Sequence, residues 1–209
     1  MPCKYKTFVC LTALVLALSG LLKAPEAAAA AWPEFTRLGL KVCWESPDFT
    51  EEKQWVADAI SREYETRGLL KVVSWGDCDE MPDANVRLTI ADQNPHTMAV
   101  GPGLDRLDHG VVLNFTFKQW GRACKATRRD CIEGIAVHEF GHVLGLGDAA
   151  VPSQESQANC DGVHLAEHSD QEALIPTYFD SVMNYCNPNW RSGKLSTGDV
   201  TLAARLLAE

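Results

Sequence analysis

The stretch that decides the reading is His138-Glu139-Phe140-Gly141-His142-Val143-Leu144-Gly145-Leu146-Gly147-Asp148. It ends an apolar run whose spacing predicts a helix over residues 130–146. Residues four apart share a helical face. His138 and His142 can therefore offer two imidazoles to one ion, with zinc–nitrogen bonds of about 2.1 Å. Glu139, one residue after the first imidazole, suits a general base acting on metal-activated water. A catalytic zinc needs a third protein ligand and one open position. Gly145 can take a positive φ, stop the helix and turn the chain back. Asp148 then follows with a carboxylate oxygen that zinc accepts. The plainer reading is a core helix with two hydrogen-bonded histidines and a surface glutamate. A chance match to the whole pattern is expected on the order of 10⁻⁴ times, which weighs against it.

Around this segment the chain of 209 residues is long enough for one compact domain. Hydrophobic residues make up 46%, enough for a sizeable core. A formal net charge of −9 argues against a nucleic-acid partner, which would want a basic face. Lys4 and Lys6, then a short apolar run over residues 8–18, then alanines to Ala31, read as a signal peptide over 1–31. The expected mature domain is 32–209, exported to the periplasm or the extracellular space. Cys10 sits inside the apolar run, whereas a lipidated cysteine would follow it. No other segment is long and apolar enough for a membrane span. Six cysteines remain after the leader: Cys43, Cys78, Cys124, Cys131, Cys160 and Cys186. An even number in an exported chain suggests disulfides, with fifteen pairings open. The favoured set is Cys43–Cys78, Cys124–Cys131 and Cys160–Cys186, of which only the middle pair has a local argument. No C-x-x-C pair points to a thiolate zinc site.

Strands are expected at 38–44 (LGLKVCW), 71–75, 86–91 (VRLTIA) and 110–117 (GVVLNFTF), with an amphipathic helix at 51–67 stopped by Gly68. Residues 94–108 read as a loop, and 149–177 as irregular. Ser196 or Thr197 can cap a last helix to residue 207, with Asp199 in its first turn. The order is β-α-β-β-β-α, an irregular stretch, then a helix. That is an α/β-type, α+β sandwich with a mixed sheet.

The 138–148 segment resembles the signature of the metzincin zinc proteases, H-E-x-x-H-x-x-G-x-x-H/D, with Asp148 in the third place as in the snapalysin-type minority. Ser181-Val182-Met183-Asn184-Tyr185 resembles the methionine-containing turn that follows the zinc helix in that family. The resemblance implies a zincin catalytic domain with a mixed twisted sheet, an active-site helix, a Met-turn and a C-terminal helix. It implies that Met183 forms an apolar floor under the histidines, and that Tyr185 reaches the metal or the oxyanion. It also implies that residues 110–117 hold the edge strand along which a peptide substrate would add antiparallel.

The implied activity is a secreted zinc-dependent endopeptidase. It would carry one catalytic zinc, act on protein or peptide, and work as a monomer. Residues 177–185 and part of the zinc helix would line the pocket after the scissile bond. A catalytically silent zinc-binding module using the same cleft is the alternative, and Glu139 argues against it. A metal-free, disulfide-rich structural domain is a third. His164 and His168 could compete as ligands but have no fixed spacing. His96 and His109 flank a loop and face solvent, although His109 could approach the cleft. Asp105 and Asp108 lack a recognised calcium-loop spacing. Arg128 and Arg129 read as a charged turn before the zinc helix. The short interval before the first strand leaves no room for an inhibitory prodomain.

Overall fold

The computed structural model describes residues 31–119, 121–149, 174, 176–177, 179–184 and 186–208. After a short helix α1 (Glu34–Arg37), strand β1 (Leu40–Trp44) enters the core with four of its five residues buried. Helix α2 (Thr50–Ile60) runs on into a π-turn (Ser61–Glu65) and leads back to β2 (Val72–Asp77), parallel to β1. Gly68 takes φ 68° where the helix was expected to stop. Strand β3 (Val86–Ile90) pairs parallel on the other side of β1.

Residues 94–108 are not one loop. They contain β4 (His96–Thr97) and a 3-10 turn (Gly101–Leu104). Strand β5 (Val111–Leu113) pairs parallel with β3 and antiparallel with β4. The sheet order is β2-β1-β3-β5-β4. The sheet's edges are therefore β2 and β4, and the 110–117 segment lies one strand in from β4, with all three β5 residues buried. A strand buried on both sides shows an apolar run rather than clean alternation. Val111, Val112 and Leu113 have that character, which the expectation of an edge overlooked.

Helix α3 (Arg128–Leu144) packs against α2 and reaches β4 and β5. Its Phe140 ring stands 6.1 Å from Trp75 of β2. Arg128 and Arg129 belong to its first turn rather than to a turn before it. Arg128 donates to Glu52 of α2 and to the Phe115 carbonyl, tying helix, neighbour and sheet end together. Helix α4 (Thr197–Leu206) opens with a capping box: Ser196 Oγ accepts from the Asp199 N–H, and Asp199 accepts from the Ser196 N–H.

Cys43–Cys78 and Cys124–Cys131 are bonded as expected. Cys186 is disulfide-bonded as well, while Cys160 lies outside the described residues. Both described bridges are consistent with an oxidising, extracellular setting. Among the described residues no helix is long and apolar enough to cross a membrane.

Candidate metal centre

Helix α3 positions two of the three expected donors through its own periodicity. His138 and His142 are both buried, and their rings meet edge to face at 4.9 Å. Gly145 ends the helix with φ 117°. Its N–H and that of Leu146 return to the carbonyls of Gly141 and His142. The chain then doubles back, and Asp148 Oδ1 arrives 3.2 Å from His138 Nε2 and 3.5 Å from His142 Nε2. The residues on either side of Asp148 are held: Gly147 N–H donates to Leu174 O, and Ala149 N–H donates to Met183 O.

The protonation of the rings follows from their partners. His138 Nδ1 lies 2.9 Å from Val182 O, and His142 Nδ1 lies 2.8 Å from Leu146 O. A carbonyl can only accept, so each Nδ1 carries a proton and donates. In the neutral rings each Nε2 then offers a lone pair, the arrangement that outer carbonyl partners impose on metal-binding histidines.

Oδ1 of Asp148 is buried and accepts no hydrogen bond of good geometry, despite its closeness to both rings. Three acceptor atoms thus face one point, which is unfavourable unless a cation lies between them. Two donors on a tetrahedral zinc, at bonds of about 2.1 Å, stand about 3.4 Å apart. The observed 3.2 and 3.5 Å bracket that separation and all three ligand atoms lie within 4.8 Å of one another, so the residues present fit the ion. Among the described residues this is the group able to hold a metal.

The turn carrying Met183 is the second support. Asp199, fully buried, accepts from Ser181 Oγ and from Val182 N–H (2.9 Å). Ser181 Oγ in turn accepts from Met183 N–H at 3.0 Å. The turn's carbonyls face the centre: Val182 O holds His138, and Met183 O holds the peptide after Asp148. Tyr64, from the π-turn after α2, donates its hydroxyl to Val137 O at 2.6 Å. Burial first, then the charges of Asp199, Glu63 and Glu139, push its phenol well above the ordinary value, so it remains a donor.

Glu139 is fully buried in α3 beside His138 in sequence. Tyr185, His164 and His168 lie outside the described residues. His96 is half-buried in the edge strand rather than in a loop. His109 is exposed and engages Glu45 at 2.7 Å and Thr89 at 2.9 Å, and so joins another cluster. Asp105 accepts from Asn85 and Asp108 pairs with Arg87. Sequence reasoning missed Tyr64 and Trp32, whose indole reaches the end of α3. It places Asp199 only in the first turn of the last helix. The S-x-x-D spacing of Ser196 and Asp199 was the one available signal.

The described residues form a mixed α/β fold, a five-stranded and mostly parallel sheet packed against helices, with a His–His–Asp cluster at the end of α3. Among solved structures, that of myroilysin superposes on it with a TM-score of 0.55 at 13% identity. The match covers 88% of this chain and 98% of that one. No protein-family model and no curated protein matches by sequence.

Proposed function

We propose that the chain is a secreted zinc endopeptidase of the metzincin type, with a leader over 1–31 and a catalytic domain over 32–209. The convergence of two Nε2 lone pairs and one buried carboxylate oxygen carries the reading. His138, His142 and Asp148 would hold a zinc ion, which would supply Lewis acidity to the scissile carbonyl. Glu139 takes a proton from the attacking water and delivers it to the leaving amine. Tyr185 steadies the oxyanion. The substrate is an extended peptide lying antiparallel along β4, with segment 177–185 and α3 walling the pocket after the scissile bond. The fold shared with myroilysin supports the zincin reading.

The test is metal content, together with casein cleavage with and without a chelator, for wild type and Glu139→Ala. Zinc in both proteins is expected, with cleavage in wild type alone, sensitive to the chelator and lowered at least about 10²-fold by the substitution. Zinc without cleavage in either protein, over a broad substrate set, would favour a silent binding module. No metal after repletion would remove the whole reading.

A further inference from the structure

The last turn of α3 must present His142 and launch the return to Asp148, yet a helix end leaves carbonyls without intrahelical donors. The bend at Gly145 serves the carbonyls of Gly141 and His142. The carbonyl of Val143 receives a different donor: the indole Nε1 of Trp32, at 2.6 Å and 111 residues away in the chain. Trp32 is 5% exposed and packs in the main core, and Val143 is fully buried, so the bond is shielded from water.

We infer that Trp32 is a positioning residue for the metal centre, acting through the Val143 carbonyl on His142 and Asp148. The inference rests on the metal-site reading above. The indole pins the peptide one residue after His142 and three residues before Leu146, whose carbonyl orients the His142 ring. Loosening Val143 frees both the ring's backbone and the acceptor that fixes its tautomer. The bend to Asp148 starts from the same turn. His138 is held independently by Val182 O, so the disturbance falls on two ligands of the three.

Two replacements separate the hydrogen bond from packing. Trp32→Phe removes the N–H and part of the ring. Site-specific incorporation of β-(3-benzothienyl)alanine at position 32 keeps the bicyclic shape and removes only the N–H. Each protein is titrated with zinc against a chromophoric chelator. Each is also loaded with cobalt(II) for its visible spectrum, and the metal-free form is unfolded in urea. Zinc affinity is expected to fall on the order of tenfold in both, the lower end of the range for partners that orient ligands. The cobalt bands should shift in both. The benzothienyl protein should keep a urea transition as cooperative as that of wild type.

Unchanged affinity and spectrum in the benzothienyl protein would overturn the inference, even if Trp32→Phe weakens binding, because packing alone would then explain Trp32. Unchanged values in both proteins would overturn it equally. Failure of wild type to bind zinc or cobalt would overturn the site reading, and this inference with it.

Discussion

Met183 lays its sulfur on the bare face of Gly141: a Cβ built on that glycine would stand 2.2 Å from Sδ and 2.9 Å from Cε. Gly141 lies one residue before His142, so the methionine turn presses on the helix between its two imidazole-bearing positions. A side chain at the second variable position of the H-E-x-x-H motif would therefore have to displace Met183. Gly141→Ala should destabilise the protein. Alanine favours a helix interior over glycine by about 1 kcal/mol, but overpacking a buried contact costs about 1–3 kcal/mol. Met183 is 1% exposed and has little room to retreat. A melting temperature lower by several degrees is expected, at about 2–4 °C per kcal/mol for a chain of this size. Adding Met183→Ala should cost less in the Gly141→Ala background than in wild type. A melt at or above that of wild type for the single variant would contradict the packing.

Asp199 governs the same turn from the other side. Its carboxylate accepts from Ser181, Val182 and Ser196. Asp199→Asn keeps the volume but turns an amide N–H₂ toward those donors. A loss of about 2–4 kcal/mol is expected, at the large end for one substitution, because the groups are buried. Urea unfolding measures it. Zinc affinity should fall with it, since Val182 O holds His138. A loss under about 1 kcal/mol would show that the turn stands without this carboxylate.

Asp148 is read as the third ligand. Asp148→Ala should lower zinc affinity by more than about 100-fold, beyond the usual effect of an outer partner. Asp148→Asn, which retains an oxygen but loses the charge, should fall between. Chelator competition ranks the three proteins. Equal affinity in wild type and Asp148→Ala would place the third donor elsewhere.

Glu45 predicts acid sensitivity away from the metal centre. Partial burial pushes its carboxyl up, but hydrogen bonds from Thr89, the His109 N–H and Arg87, with the charge of His109, outweigh that. Its folded pKa lies below the ordinary value of 4.5. The sign follows by linkage: the stabilisation is complete above the ordinary value and is lost as pH falls through the lowered one. Glu45→Gln should be less stable than wild type at neutral pH. The two stability curves should converge as pH drops below about 4.5. Parallel curves from pH 7 to pH 3 would contradict it.

Much of this centre was legible before folding, because its parts are local. The i, i+4 placement of His138 and His142 follows from helix periodicity. The stop at Gly145 follows from a residue that tolerates φ 117°. The cap at Ser196 needs only its neighbour three residues on. The buried alternation of Val86 and Leu88 likewise announced β3. By contrast, β4 has two residues, too few for any period to show, and its sequence reads as loop. The family resemblance places the edge at 110–117, and no local pattern says which strand lies outermost.

The amino-acid order by itself determined which helix bears the imidazoles, where it ends and which carboxylate follows. Each of these is set by bonds and sterics within about ten residues. Only the tertiary structure decided that Trp32 caps Val143, that Asp199 grips Val182 and that Met183 fills the gap at Gly141. Those pairs lie 111, 17 and 42 positions apart in the chain. They form only after the sheet has chosen its strand order and the core has excluded water. A buried polar group must then find whichever partner the packing brings near.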